Sequence, residues 1–160
     1  MTIAATQKLK KFMYYISKSV PVKINFSDMA RDLELSRDEL PKYLEYLEKA
    51  ELVSVLRMKA NGDAILRKMD KLYLQNSNMS YVLSGENPDT GNARETIFYC
   101  WTKQKYDTVK SPVSDFEIDG KTFEVGGRNK GKKQISNLED AYVVKDTIEY
   151  VFDNQVPLWM

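Results

Sequence analysis

Between Gln7 and Val20 the apolar residues Leu9, Phe12, Met13, Ile16 and Val20 recur at steps of three and four, which predicts a helix with one buried face. Pro21 ends it. A second, short helix is expected after Asn25 or Ser27, carrying Met29, Ala30 and Leu33 inward and ending near Leu35. Three signals place the start of a third. Ser36 caps it, Glu39 completes a capping box three residues on, and Leu35 staples onto Leu40. Pro41 falls within its first turns, Leu40, Tyr43, Leu44 and Leu47 continue the stripe, and the end is expected near Ala50.

The period then changes. Leu52–Lys59 and Ala64–Lys68 are rich in residues that suit strands, with the turn pair Asn61-Gly62 between them, so they read as a hairpin. Three helices followed by a hairpin is the order of a winged helix. Lys71–Leu74 reads as a further strand, the polar stretch Asn76–Asn78 as a loosening between modules, and Asn87-Pro88-Asp89 as a second break. Ala93, Ile97, Cys100 and Trp101 share one side of a helix expected over Asn92–Gln104. Strands dominate afterwards. Ala141–Val144 reads as a core strand and Ile148–Phe152 as another. The apolar end Val156-Pro157-Leu158-Trp159-Met160 either packs into the sheet or marks truncation of a longer protein.

The stretch Val113–Val125 is the most informative, because Asp119-Gly120 is a two-residue turn signal between alternating strands. That turn fixes the register: Ile118 faces Lys121, Glu117 faces Thr122, Phe116 faces Phe123 and Asp115 faces Glu124. Phe116, Ile118, Phe123 and Val125 then share an apolar face. Asp115, Glu117 and Glu124 gather on the other. Two opposed carboxylates repel unless one is protonated, both are well solvated, or a cation is shared between them. Magnesium or manganese would suit such oxygen ligands and could orient water at a phosphate, while the plain alternative is the wet face of a half-buried sheet.

Charge and composition narrow the function classes. Lys plus Arg total 24 against 23 for Asp plus Glu, a net charge of +1, so no global field draws the chain to nucleic acid or an anionic membrane. The third helix, Ser36–Ala50, carries Arg37, Lys42 and Lys49 against Asp38, Glu39, Glu45 and Glu48. That balance disfavours a helix that reads DNA and favours interaction or domain packing. Were DNA bound, Lys59, Arg67 and Lys68 on the wing would carry it. There is no histidine, and the single cysteine, Cys100, has no base to activate it and reads as a small buried hydrophobe. No apolar run approaches a membrane span, and a cytoplasmic protein is expected. Gly126–Lys133 nearly fits a phosphate-binding loop, but Lys133 stands where a Ser or Thr would hold magnesium, so the match is rejected. Its basic residues Arg128, Lys130, Lys132 and Lys133 remain candidates for local contact with phosphate or nucleic acid.

The hairpin Ser114-Asp115-Phe116-Glu117-Ile118 with Lys121-Thr122-Phe123-Glu124-Val125, preceded by Arg94-Glu95, resembles the restriction-endonuclease-like domain of unknown function in bacterial AAA-type ATPases. The winged-helix order upstream resembles the module joining that domain to the ATPase core. The resemblance implies an α+β chain: a winged helix over residues 1–70, then a small restriction-endonuclease-like α/β domain with a mixed sheet over 71–160. It implies Glu95, Asp115 and Glu124 as the nuclease acid trio, with Asp115 and Glu124 on magnesium or manganese if a metal is used. The lysine of the pattern would match Gly126, a departure that argues against cleavage, with Arg128 or Lys130 as substitutes from another backbone position. The function expected is a non-catalytic regulatory or interaction region of such an ATPase, partnered by the ATPase core or another protein. A metal-dependent nuclease and a winged-helix DNA-binding protein are the alternatives.

Overall fold

The computed structural model describes residues 3–59, 68–85, 89–131 and 135–159. Helix α1 (Ile3–Ser19) buries Phe12, Met13 and Ile16 along the expected stripe. After strand β1 (Val22–Lys23), α2 (Phe26–Leu33) starts at Asn25, whose side chain accepts from the Ser27 and Asp28 amides, and it buries Met29, Ala30 and Leu33. Helix α3 (Glu39–Lys49) follows the capping box. The Glu39 amide donates to Ser36 Oγ at 3.2 Å and the Ser36 amide to Glu39 Oε2 at 3.0 Å. Leu35 and Leu40 are buried in the same core.

Strands β2 (Val53–Arg57) and β3 (Met69–Leu74) pair antiparallel from Val53↔Leu74 to Arg57↔Met69, and β1 joins the other side of β3. The strand across from β2 is therefore 69–74, later than the 64–68 arm expected. The Asn61-Gly62 turn and residues 64–67 lie outside the described residues, as does Asn87-Pro88. Position 70/71 falls inside β3, the middle strand of this sheet.

Alternation divides β2 and β3 between two cores. Val53, Val55, Leu72 and Leu74 face the three helices, while Leu56 and Tyr73 face the opposite way into a second cluster with Phe98, Tyr99, Phe116 and Val144. The polar stretch at 76–78 leads into a short helix, α4 (Asn78–Ser84), that packs on α1, so it is a continuation of the first layer rather than a loosening.

Helix α5 (Thr90–Thr102) is capped by Asp89, whose carboxylate accepts from the Asn92 amide at 3.0 Å. Its buried residues are Thr96, Phe98, Tyr99 and Cys100, and Trp101, expected inward, is 55% exposed. The apolar face is wider than the stripe suggested because α5 contacts both β3 and β6. The Tyr99 hydroxyl donates to the Val55 carbonyl at 2.7 Å, tying α5 to the first sheet.

Five strands make the second sheet, β4 (Val109–Lys110), β5 (Phe116–Ile118), β6 (Lys121–Gly126), β7 (Ala141–Lys145) and β8 (Gln155–Pro157), in that order. The sheet is mixed, antiparallel from β4 to β6 and parallel from β6 to β8. The β5–β6 register is the one the turn dictates, Phe116↔Phe123, Glu117↔Thr122 and Ile118↔Lys121. Asp119 and Gly120 both take positive φ, 50° and 81°, as a two-residue turn of this hand requires. The strand expected over Ile148–Phe152 is instead part of the crossover from β7, with Tyr150, Val151 and Phe152 exposed, and the strand lies at 155–157. Val156 and Leu158 pack into the second core, so the apolar end is part of the sheet. The whole is mixed α and β, and among the described residues no helix is long and apolar enough to cross a membrane.

Candidate acid-lysine site

Three elements converge near the end of the β5–β6 hairpin. Glu124, on the β6 face opposite the aromatic core, is only 2% exposed. Its Oε2 accepts from the Ser114 hydroxyl and its Oε1 forms an ion pair with Lys130, which arrives from the turn after β6. Asp115 directly precedes β5, and its Oδ2 accepts from the Val125 amide at 2.9 Å. Glu95 comes from α5. Its Oε2 accepts from Lys71 at 3.1 Å and from the Tyr73 hydroxyl at 3.2 Å, both on β3.

The three acids are close enough to feel one another. Burial, then the charge of Glu95, pushes the Asp115 carboxyl up to about 6; the charge of Glu124 adds to this, while the Val125 amide and Lys71 pull the other way. Burial works to lower the Lys130 ammonium, but the hydrogen bond and charge of Glu124, with Asp115 and Glu95 behind it, hold its pKa above the ordinary lysine value. The Tyr73 phenol is raised by burial and by Glu95, so it is a hydrogen-bond donor and not a base. The arrangement is thus three acids faced by two ammonium groups, Lys71 and Lys130, one positive charge short of balance when all three ionise, with Ser114, Tyr73 and a backbone amide supplying the remaining donors.

A divalent cation does not fit these acids as they stand. Among the described residues no three Cys, Asp or Glu side chains come together in a way that could hold a metal. Glu124 would have to release Lys130 or Ser114 to become a ligand.

The other expected groups lie apart. Arg128 is exposed on the turn, and its carbonyl accepts from Lys145 at 3.4 Å. Lys132 and Lys133 lie outside the described residues. Lys59, expected on a DNA-reading wing, forms an ion pair with Glu117 on β5, and Arg67 lies outside the described residues. On α3 the acids are engaged within the chain: Glu39 with Lys8 at 2.8 Å, Glu45 with Lys49 at 2.6 Å, and Glu48 with both terminal nitrogens of Arg57 at 2.8 and 2.9 Å. Cys100 is buried, donates to the Leu74 carbonyl at 3.1 Å, and has its thiol pushed up to about 11 by burial, the opposite of an activated nucleophile.

Sequence reasoning missed Lys71, Tyr73 and Ser114. The signal for the first two was present in the strand pattern, since Leu72 and Leu74 facing the helices send Lys71 and Tyr73 together to the other side.

Comparison with known proteins places the first part of the molecule. The family model described as "Domain of unknown function (DUF8612)" matches residues 2–90, which include α1 to α4, the first sheet, and with it Lys71 and Tyr73. No curated protein and no solved structure matches the chain. With more than half of its length matched, the chain belongs to this family of domains of unknown function, DUF8612.

Proposed function

We propose that the chain is a non-catalytic interaction region of the kind found toward the C-terminus of AAA-type ATPases, a winged helix joined to a degenerate restriction-endonuclease-like domain. The element order α1-β1-α2-α3-β2-β3, with β3 between β1 and β2, supports the winged-helix reading. The mixed sheet and the grouping of Glu95, Asp115 and Glu124 support the nuclease-like one. The observation that carries the non-catalytic conclusion is Glu124. A buried acid with both oxygens taken by protein donors is part of the scaffold, and its pairing with Lys130 removes the charge a metal would otherwise have to balance.

A surface suited to a protein partner lies at the far end of α5. Trp101, Tyr106 and Trp159 are about half exposed there around two adjoining hollows of about 320 and 350 Å³ that share Phe98, Thr102 and Tyr106. Aromatic side chains left open to water in this density are characteristic of docking sites, and the partner proposed is the ATPase core. The acids of α3, engaged by lysines and arginine of the chain itself, fit packing against protein better than entry into a DNA groove.

A metal-dependent nuclease is the second reading, favoured by one observation, that Asp115 feels the charges of both Glu95 and Glu124 within one pocket. One experiment separates the two. Plasmid, single-stranded DNA and RNA incubated with the protein and magnesium or manganese should remain intact. Cleavage that disappears in Glu124→Ala would establish the nuclease and reject the non-catalytic reading.

A further inference from the structure

Gly126 has no conformational reason to be glycine. Its φ is outside the left-handed region, and it is the last residue of β6, still paired with Lys145 of β7, where other residues would serve the backbone equally well. The reason is spatial. A Cβ built at 126 would fall 2.4 Å from both Cβ and Cγ of Lys130 and 2.8 Å from its Cδ, so the lysine stem lies directly over the glycine. These are the root and middle of the side chain, not a tip that can swing aside.

The turn that follows makes this possible. The Lys130 amide donates to the Gly127 carbonyl at 3.0 Å, folding the chain back on the end of β6 and aiming the lysine along the strand toward Glu124. Residues 124 and 126 project from the same face of β6, two apart. A lysine side chain rooted at 126 would therefore approach the same carboxylate from the same side.

We propose that Gly126 and Lys130 form one functional unit, in which the missing side chain at 126 is the slot through which Lys130 delivers its ammonium group to Glu124. The lysine is a positioning residue. It acts by holding Glu124, and through it the β5–β6 hairpin and the turn after β6, in one arrangement. Two consequences follow from the geometry. Filling the slot is harmful only while Lys130 occupies it, and moving the lysine into the slot preserves its effect. The assignment rests on reading the pocket as closed by the protein's own donors.

Thermal unfolding of the full chain in metal-free buffer tests it, using Gly126→Ala, Lys130→Gly, the two combined, and the exchange Gly126→Lys with Lys130→Gly. Gly126→Ala should lower Tm by about 4–10 °C in the wild-type background and by less than about 2 °C once Lys130 is glycine. The exchange variant should unfold within about 3 °C of wild type, well above Lys130→Gly alone. Adding Glu124→Gln should recover much of the loss in Lys130→Gly, because it removes the stranded charge, and should bring no gain in the exchange variant. Equal cost of Gly126→Ala in both backgrounds would overturn the proposal. So would a Lys130→Gly protein that Glu124→Gln fails to rescue. If Lys130→Gly does not fold, an exchange variant that also fails to fold would overturn it equally. These outcomes are independent of cleavage: nuclease activity would reject the non-catalytic reading and leave the unfolding comparison standing, whereas uncoupled positions 126 and 130 would reject this unit alone.

Discussion

Replacing Asp115 by asparagine should stabilise the protein at neutral pH, which is the reverse of what removing a hydrogen-bonded buried acid usually does. Asp115 accepts the Val125 amide, and an asparagine oxygen keeps that contact. What the substitution removes is an ionisation that burial, Glu95 and Glu124 all oppose. The folded-state carboxyl is raised from 3.8 to about 6. Between those values the folded state binds the proton more tightly than the unfolded chain, so stability falls as pH rises from about 4 through about 6 and is flat above. The full shift corresponds to about 3 kcal/mol, and allowing for partial solvent access the expected gain in Asp115→Asn at pH 7.5 is about 1–3 kcal/mol. For a chain of this length that is a Tm increase of roughly 2–10 °C. The assay is urea unfolding of both proteins at pH 4 and pH 7.5 with chelator present, read as the difference between the two profiles so that other carboxylates cancel. A gain at pH 7.5 that shrinks below about 0.7 kcal/mol at pH 4 is the expected result. A variant less stable than wild type at pH 7.5 would refute the electrostatic reasoning, because it would mean that the ionised carboxylate is a net stabilising group.

Two further outcomes follow from the packing. Phe116→Ala should cost about 3–5 kcal/mol in chemical unfolding, since the ring is fully buried among Tyr73, Phe98 and Tyr99 and joins the two sheets through α5; a loss under about 1 kcal/mol would show that this cluster is not the shared core. Ser36→Ala should cost about 0.5–2 kcal/mol by removing the side-chain acceptor that the Glu39 amide shares with the Ser36 carbonyl, and a neutral result would mean that the start of α3 is held by that carbonyl and by tertiary contacts such as Leu35 on Leu40.

The parts of the fold that could be read from sequence are those governed by local chemistry. Ser36 and Glu39 bond each other's amides within four residues, and Asp119-Gly120 sets the β5–β6 register without reference to any other strand. Where the governing contact is distant, the pattern misleads. Helix α5 lies against both sheets, so Phe98 and Tyr99 are buried off the stripe that placed Trp101 inside. Helix α4 has only seven residues, too few to hold as a helix alone, and its packing against α1 accounts for it. Strand β8 was hidden for a related reason. Its pairing partner β7 runs parallel, and the exposed Tyr150-Val151-Phe152 in the crossover imitates a strand more convincingly than Gln155-Val156-Pro157 does.

The site divides along the same line. The hairpin register is legible from Phe116↔Phe123 to Ile118↔Lys121; Asp115 lies just before β5, where its carboxylate accepts the Val125 amide and feels the charges of Glu95 and Glu124. The partners of the cations were less legible: Lys130 was a candidate by sequence, but its seat on Glu124 was not, and Lys71 was passed over. Lys71 depends on which face β3 turns to α5, and Lys130 on a turn that folds back over Gly126.

Whether the acid pocket is closed by the protein's own donors is measured most directly by calorimetric titration with manganese. The wild-type protein at neutral pH should show no saturable heat beyond dilution, and Asp115→Ala should give the same trace. Stoichiometric uptake by the wild type that is lost in Asp115→Ala would contradict a closed pocket, because a cation would then be displacing Lys130 from Glu124 to form the metal site of an active nuclease.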